Sequence, residues 1–302
     1  MRPGSAQEAT AYAPGHVTGI FVPETSGRDP RSRGSLGAGL VLDAGATAHA
    51  AWRPAPRASL RVTGDTGAPL EISADVATRL LASHPGQLRV ELHHGLPVGQ
   101  GFGMSAAGAT ATALAVGRVV GASRSRAIET AHLADLFGGG GLGGVAAILG
   151  GGFEVRWRAG IPPFGRVLRR PVAPQILIGK VAGPIPTPRI LRDPRRLDRI
   201  RRAASELAGL TRSPTLGRFW DASESFTDRA GLAAPGLRAV VRALRRRGAR
   251  AAQAMFGGCF FAQLPTGPAR ERLLSWMRSR AFAAVELPVA RQGARLLSAT
   301  PE

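Results

Sequence analysis

Apolar positions in the first half of this chain recur mainly at every second residue. Residues 11–22, Ala-Tyr-Ala-Pro-Gly-His-Val-Thr-Gly-Ile-Phe-Val, read as a strand interrupted by a Pro-Gly turn, followed by a Gly-, Pro-, Ser- and charge-rich loop up to Arg33. Alternation places one set of side chains on each face of an extended chain. Residues 34–42 alternate small and apolar positions into a second strand, and 59–63 and 70–73 suggest further short ones. The period then lengthens to that of a helix over 74–83, with Ser73 as its N-cap, before 87–94 alternates again as a strand. Helices follow at 105–120 and, capped by Ser123, at 124–137; then comes a strand at 153–158 and a Pro/Gly-rich stretch, 160–171, that links two lobes. The second lobe reads as a strand from Gln175, a Pro-rich loop, and helices at 193–210, 214–230 and 235–247. Strands at 248–255 or 259–263, a helix at 267–280 and a strand at 283–290 complete it. Strands dominate early and helices late, an α+β order without internal repeats.

The most informative stretch joins the 87–94 strand to the small-residue helix. It reads Pro97-Val-Gly-Gln-Gly-Phe-Gly-Met-Ser-Ala-Ala107. Glycine at alternate positions lets the backbone turn sharply and approach a ligand closely, and a helix start supplies free N–H groups and the positive end of its dipole. The dinucleotide fingerprint fails, because the sixth position from Gly99 is Met104. A Walker A loop fails as well, because Ala109 stands where its lysine must be. A tight turn before a closely packed Ala/Gly helix would use the same residues. A second glycine concentration, nine in the fifteen positions 138–152, marks tight turns or backbone beside a ligand.

With 302 residues, 44% hydrophobic and 20% charged, the chain has room for one large or two modest cores. The single cysteine, Cys259, excludes an internal disulfide framework and fits a reducing cytoplasm. No stretch has the length and apolarity of a membrane span or an export signal, so a soluble cytoplasmic protein is expected. The net charge of +20 raises nucleic-acid binding, yet Lys180 is the only lysine and the arginine-dense segments 189–202 and 238–250 carry helical periodicity. Aromatic residues, 5% of the chain, are not interleaved with them. Solvated helix faces are therefore expected and nucleic acid is not, although a basic surface still draws anionic substrates to a cleft.

The loop resembles the P-x-x-x-G-x-G-S-S-A-A signature of the GHMP kinases, with Pro97, Gly101, Gly103, Ser105, Ala106 and Ala107 matching and Met104 replacing the first serine. Pro14-Gly-His16 and Met255-Phe-Gly-Gly-Cys-Phe-Phe-Ala262 resemble that superfamily's first and third motifs, in the right order. Within it, Pro14 to Pro23, Gly34 to Gly39, Ala131-His-Leu-Ala-Asp135, Gly141-Leu-Gly143, Gly150 to Arg156 and Gly293-Ala-Arg-Leu-Leu297 are similar to the archaeal pantoate kinases. The resemblance implies a two-lobed α+β fold with a ribosomal protein S5 domain 2-like lobe over 1–165 and a ferredoxin-like lobe over 166–302. It also implies an ATP-dependent enzyme making 4-phosphopantoate on the route to coenzyme A, with the homodimer as a state common in the superfamily. Homoserine or a mevalonate-like acid are alternative acceptors.

By the same resemblance, Pro97, Gly99, Gly101, Gly103, Met104, Ser105, Ala106 and Ala107 hold the triphosphate. Ser105 and Asp135 are the magnesium ligands, with Glu129 as a second candidate. Arg156 faces the substrate, where a guanidinium suits a carboxylate, and His16, Thr18 and Ser35 join it, Ser35 from a turn spanning Gly34 to Gly39. One departure stands out. Gly140-Gly-Leu-Gly-Gly-Val145 replaces Thr-Gly-Leu-Gly-Asp-Val, so Gly144 stands where an aspartate is expected. A loose phosphoryl-transfer transition state permits three outcomes: no base, another carboxylate (Asp43 by position), or weakened activity.

Overall fold

The computed structural model describes residues 6–64, 70–82, 84–183, 190–280 and 282–300. Strands β1 (Gln7–Glu24) and β2 (Gly34–Pro54) form one long antiparallel hairpin, and a 3-10 turn at Pro30–Ser32 lies in the connection between them. The first half of β2 pairs with β5 (Phe153–Arg158), which pairs in turn with β6 (Arg166–Arg170). Its second half pairs with β4 (Gly86–His94), which carries β3 (Ser59–Gly64) in parallel at the sheet edge. At the other edge β11 (Arg295–Ala299) pairs with β1. Strands β7 (Gln175–Lys180), β8 (Arg250–Ala254), β9 (Cys259–Gln263) and β10 (Ala284–Pro288) make a separate antiparallel sheet in the order β10-β7-β9-β8. The two-lobed α+β expectation is met. The division at 165 follows the sheets only in part, because β6 and β11 belong to the first sheet.

Helix α2 (Met104–Val120) lies on β1 and β2, flanked by α1 (Glu71–Leu81) and α3 (Arg124–Phe137), and all its residues except Ser105 and Arg118 are buried. Its run of alanines and glycines explains this. A helix whose side chains are mostly small approaches a sheet and two helices closely, and apolar character nearly all round is what a central position requires. A short α4 (Gly144–Ile148) closes the glycine-rich segment. In the second lobe, α5 (Pro194–Ala203) and α6 (Leu207–Arg212) pack on α7 (Leu216–Ala230) and against β1 and β5, while α7, α8 (Pro235–Arg245) and α9 (Pro268–Arg278) pack on the smaller sheet. Aromatic rings join the lobes. Phe219 on α7 packs at 5.1 Å from Phe153 of the first sheet, and its neighbour Trp220 lies 5.1 Å from Phe261 of the second.

Several sequence expectations change in three dimensions. Pro14-Gly15 is not a turn but a bulge that β1 passes through, its register against β2 shifting there. Residues 70–73 are not a strand: α1 starts at Glu71, and Ser73 is buried inside it rather than capping it. Ser123 does cap α3, accepting from the Arg126 N–H. Both alternatives at 248–255 and 259–263 are strands, and they pair with each other. The second half of β2, α4, β6 and β11 carry no strong periodicity and emerge only through their partners. The Pro-rich loop after β7 falls on 184–189, outside the described residues. The arginine-dense segments do form helices with arginines on their exposed faces, and several pair locally, Arg196 with Asp193 at 3.1 Å and Arg245 with Asp228 at 2.7 Å.

Candidate active site

The glycine loop between β4 and α2 crosses one wall of a cavity of about 240 Å³. Gly99, Gly101 and Gly103 have φ of 76°, 87° and 69°. All three are in the left-handed region, where a Cβ is strained, so the alternation read from the sequence is a backbone requirement. Gly103 precedes α2 and no side chain caps that helix, so its first N–H groups face the cavity as a ready anion site. Gly99, Gly101, Gly103, Met104, Ser105 and Ala106 line the cavity; two loop residues expected there do not. Pro97 is exposed ahead of the loop, and Ala107 is buried with its N–H already bonded to the Gly103 carbonyl at 3.0 Å.

In α2's first turn, Ser105, which also lines the cavity, donates its hydroxyl to Asp135 Oδ1 at 2.8 Å. The sequence separates them by thirty residues, and the close packing of α2 on α3 unites them. Burial pushes the Asp135 carboxyl up to about 6, with Ser105 and the Gly141 N–H pulling it down. A hydroxyl and a carboxylate at a helix start beside a phosphate cradle are hard oxygen donors of the kind magnesium accepts, with waters and phosphate oxygens completing its shell. Glu129, the second candidate, instead pairs with Arg126 at 3.3 Å and lies half-exposed.

A buried polar set forms the third wall. His16 Nε2 contacts Glu154 Oε1 at 2.9 Å, and Thr18 Oγ1 contacts His16 Nδ1 at 3.2 Å. Glu154 Oε1 also accepts from Arg156 Nη1. Glu154 and Arg156 are two apart on β5, so they share one face of the strand. Burial holds His16 below the usual imidazole range against the pull of Glu154. Burial alone would raise the Glu154 carboxyl, but Arg156, His16 and Arg169 together hold it below the usual range. The pair is thus a neutral imidazole and a carboxylate. Because a carboxylate only accepts, the ring proton sits on Nε2 and Nδ1 accepts from Thr18. Arg156 Nε, Ser35 Oγ and Glu154 Oε2 have no partner among the described residues. Buried polar atoms without partners are costly, and two of these three are donors of the kind a carboxylate takes.

The segment 34–39 is part of strand β2 and not a turn. Its glycines make room: a Cβ on Gly39 would lie 2.4 Å from the His16 ring, and one on Gly37 would lie 2.7 Å from Arg156 Nη2. Asp43, the positional substitute for the missing base, does not join the site. It is exposed at the β1–β2 bulge, outside the cavity lining, where its charge acts on Tyr12. At Gly144 the space is closed, since a Cβ there would lie 2.5 Å from Ala106 Cβ. Sequence reasoning missed Glu154. Its signal was a pair of opposite charges at alternate positions in a strand otherwise apolar enough to be buried on both faces.

The glycine loop, the Ser105–Asp135 pair and the β1–β2–β5 wall define a kinase site of the GHMP class. The family described as GHMP kinases N terminal domain matches residues 71–152, from α1 through the loop to the start of β5. A pantoate kinase of Methanospirillum hungatei is 30% identical over 258 residues, 84% of this chain and 86% of that protein. One from Thermococcus kodakarensis is 37% identical over 161 residues, 51% of this chain and 53% of its own length, so that match spans about half of the relative. A solved phosphotransferase related to the CoA biosynthesis pathway superposes with a TM-score of 0.85 at 25% identity, over 97% of this chain and 98% of that one. The chain belongs to the pantoate kinase family of the GHMP kinases.

Proposed function

We propose that the protein transfers the γ-phosphoryl group of ATP to the hydroxyl of pantoate, giving 4-phosphopantoate and ADP. One observation carries the reading: a single cavity is lined by a phosphate cradle with Ser105, which is bonded to Asp135, and on another side by Arg156 and Gly143, beside which Arg156 Nε and Ser35 Oγ are buried without partners among the described residues. The first wall suits a triphosphate, the second a small acid. The loop's N–H groups and α2's dipole bind the β- and γ-phosphates. Ser105 and Asp135 would hold magnesium, which would neutralise charge on the phosphates. Arg156 and Ser35 grip the pantoate carboxylate and so aim its hydroxyl at the γ-phosphorus, a step in which positioning does most of the work. The reading places the enzyme in the cytoplasm, where ATP and pantoate are both available, and a homodimer is the expected state. No helix among the described residues is long and apolar enough to cross a membrane.

An ADP-release assay with pantoate, homoserine and mevalonate, with and without magnesium, tests the proposal. Magnesium-dependent turnover of pantoate well above the other two is expected. Preference for another hydroxy acid, or ATP binding without transfer to any, would overturn it.

A further inference from the structure

Position 144 offers no carboxylate, and Asp135 is committed to Ser105 and the metal side of the cavity. The proton acceptors that remain at the cavity wall form one connected chain: Thr18 Oγ1 at the surface, His16 Nδ1 at 3.2 Å behind it, and Glu154 Oε1 at 2.9 Å from His16 Nε2. We propose that Thr18, His16 and Glu154 form a relay that takes up the proton of the acceptor hydroxyl during phosphoryl transfer, in place of a directly placed carboxylate. The proposal rests on the kinase reading above.

The geometry sets the direction of each bond. His16 Nε2 must donate to the acceptor-only carboxylate, so Nδ1 has a lone pair and the Thr18 hydroxyl hydrogen points to it. The Thr18 lone pairs are then the groups left for a substrate hydroxyl in the cavity. Thr18 is half-exposed there, His16 lines the cavity beside it at 3% exposure, and Glu154, 0% exposed, stands outside the lining, so Thr18 presents its hydroxyl to substrate and Glu154 acts through the ring. The backbone of Gly39 packs on the imidazole, where a Cβ would reach 2.4 Å from the ring, and Gly103 packs on the His16 backbone, where a Cβ would reach 3.0 Å from His16 Cβ. The charged groups acting on the ring are Glu154 and Arg156 from β5 and Arg169 from β6. The arginines and burial favour the neutral ring at rest, and Glu154 stabilises the imidazolium once it forms.

During transfer the acceptor O–H bond breaks as its oxygen bonds to the γ-phosphorus. The bond from that phosphorus to the bridging oxygen breaks, and its electron pair leaves with ADP. The acceptor proton passes to Thr18 Oγ1, the Thr18 proton passes to His16 Nδ1, and the new imidazolium is balanced by Glu154. Release of products returns the proton to water through the cavity. A loose transition state delays this transfer until bond formation is advanced, so a neutral hydroxyl backed by imidazole is a strong enough acceptor.

The test compares Thr18→Val, which keeps the shape and removes the hydroxyl, with Thr18→Ser, which keeps the hydroxyl. Thr18→Val is expected to lower kcat about 100-fold with KM for ATP unchanged, and Thr18→Ser to stay within about threefold of wild type. The acid limb of the kcat–pH profile should vanish in Thr18→Val and move to lower pH in Glu154→Gln, shifts that a merely structural role would not produce. Turnover of Thr18→Val within about threefold of wild type, with an unchanged profile, would overturn the relay. Ring ¹⁵N shifts of His16 give an answer that does not depend on the substrate. A neutral ring protonated on Nε2 near neutral pH is required, and a charged ring or one protonated on Nδ1 sinks the relay even if pantoate is turned over. If another hydroxy acid is turned over in place of pantoate, the substrate reading fails and the Thr18→Val loss measured with that acceptor decides the relay; no transfer to any acceptor overturns both.

Discussion

Gly144→Asp restores the carboxylate that the family pattern places there, and the structure argues that it will not rescue catalysis. The first atom added at position 144 would lie 2.5 Å from Ala106 Cβ, where ordinary contact begins at 3.4 Å, so α4 and the first turn of α2 must part by about 0.9 Å. Overpacking of this kind costs about 1–3 kcal/mol in a well-packed interior. At roughly 2–4 °C per kcal/mol for a large domain, the melting temperature should fall by roughly 2–12 °C. Ala106 and Ser105 belong to the same turn as the phosphate-facing N–H groups, so their displacement misplaces the nucleotide too. A shift of about 1 Å in a positioning element can cost on the order of 100-fold in rate. Differential scanning calorimetry and ADP release on wild type, Gly144→Asp, Ala106→Gly and the double variant form a cycle that isolates the contact. Ala106→Gly alone should cost about 0.5–1 kcal/mol from helix propensity, and the double variant should recover most of the stability that Gly144→Asp loses. Gly144→Asp with wild-type melting temperature and raised turnover would refute the steric argument and reinstate a missing-base handicap.

Asp135→Asn should abolish magnesium-dependent turnover while raising the melting temperature of the metal-free protein above pH 6. The native carboxyl, pushed up to about 6 from 3.8, binds protons that the unfolded chain has already released, so stability is lost as pH rises through that window. Urea denaturation at pH 4 and pH 7.5 reads the difference, roughly 1–3 kcal/mol. His16 has the opposite sign: its native imidazole is held neutral below the ordinary range, so the fold loses stability as pH falls through about 6.5, and His16→Gln should flatten that limb of a melting-temperature profile. Arg156→Met removes the ion-pair partner of buried Glu154, leaving it the neutral imidazole and the field of Arg169, and should cost about 3–5 kcal/mol in denaturant unfolding. With substrate in excess, Arg156→Lys should raise KM for pantoate more than tenfold and leave KM for ATP within about twofold, because a point charge cannot replace the planar fork.

Sequence alone carried the glycine loop, because three left-handed positions at alternate residues leave few residue types possible and α2's small apolar run has no other natural place than a core. It also carried the arginine-bearing helices, whose 3.6-residue period is local. What it could not carry were contacts made at long separation. The alternation over 34–42 carries a strand, but only strand pairing reveals the glycines at 37 and 39 as space left for Arg156 and His16. Glu154 had no motif of its own and became part of the site through β5's register against β2. Asp43 was chosen by its place in the chain, and the bulge at Pro14-Gly15 leaves it on the exterior. The sequence by itself determined the class of site, since a phosphate cradle is written in backbone conformations that residues impose locally. The tertiary structure alone decided which side chains gather at the cavity and that a Cβ at 144 meets Ala106, because both depend on distances between elements that the chain brings together only on folding.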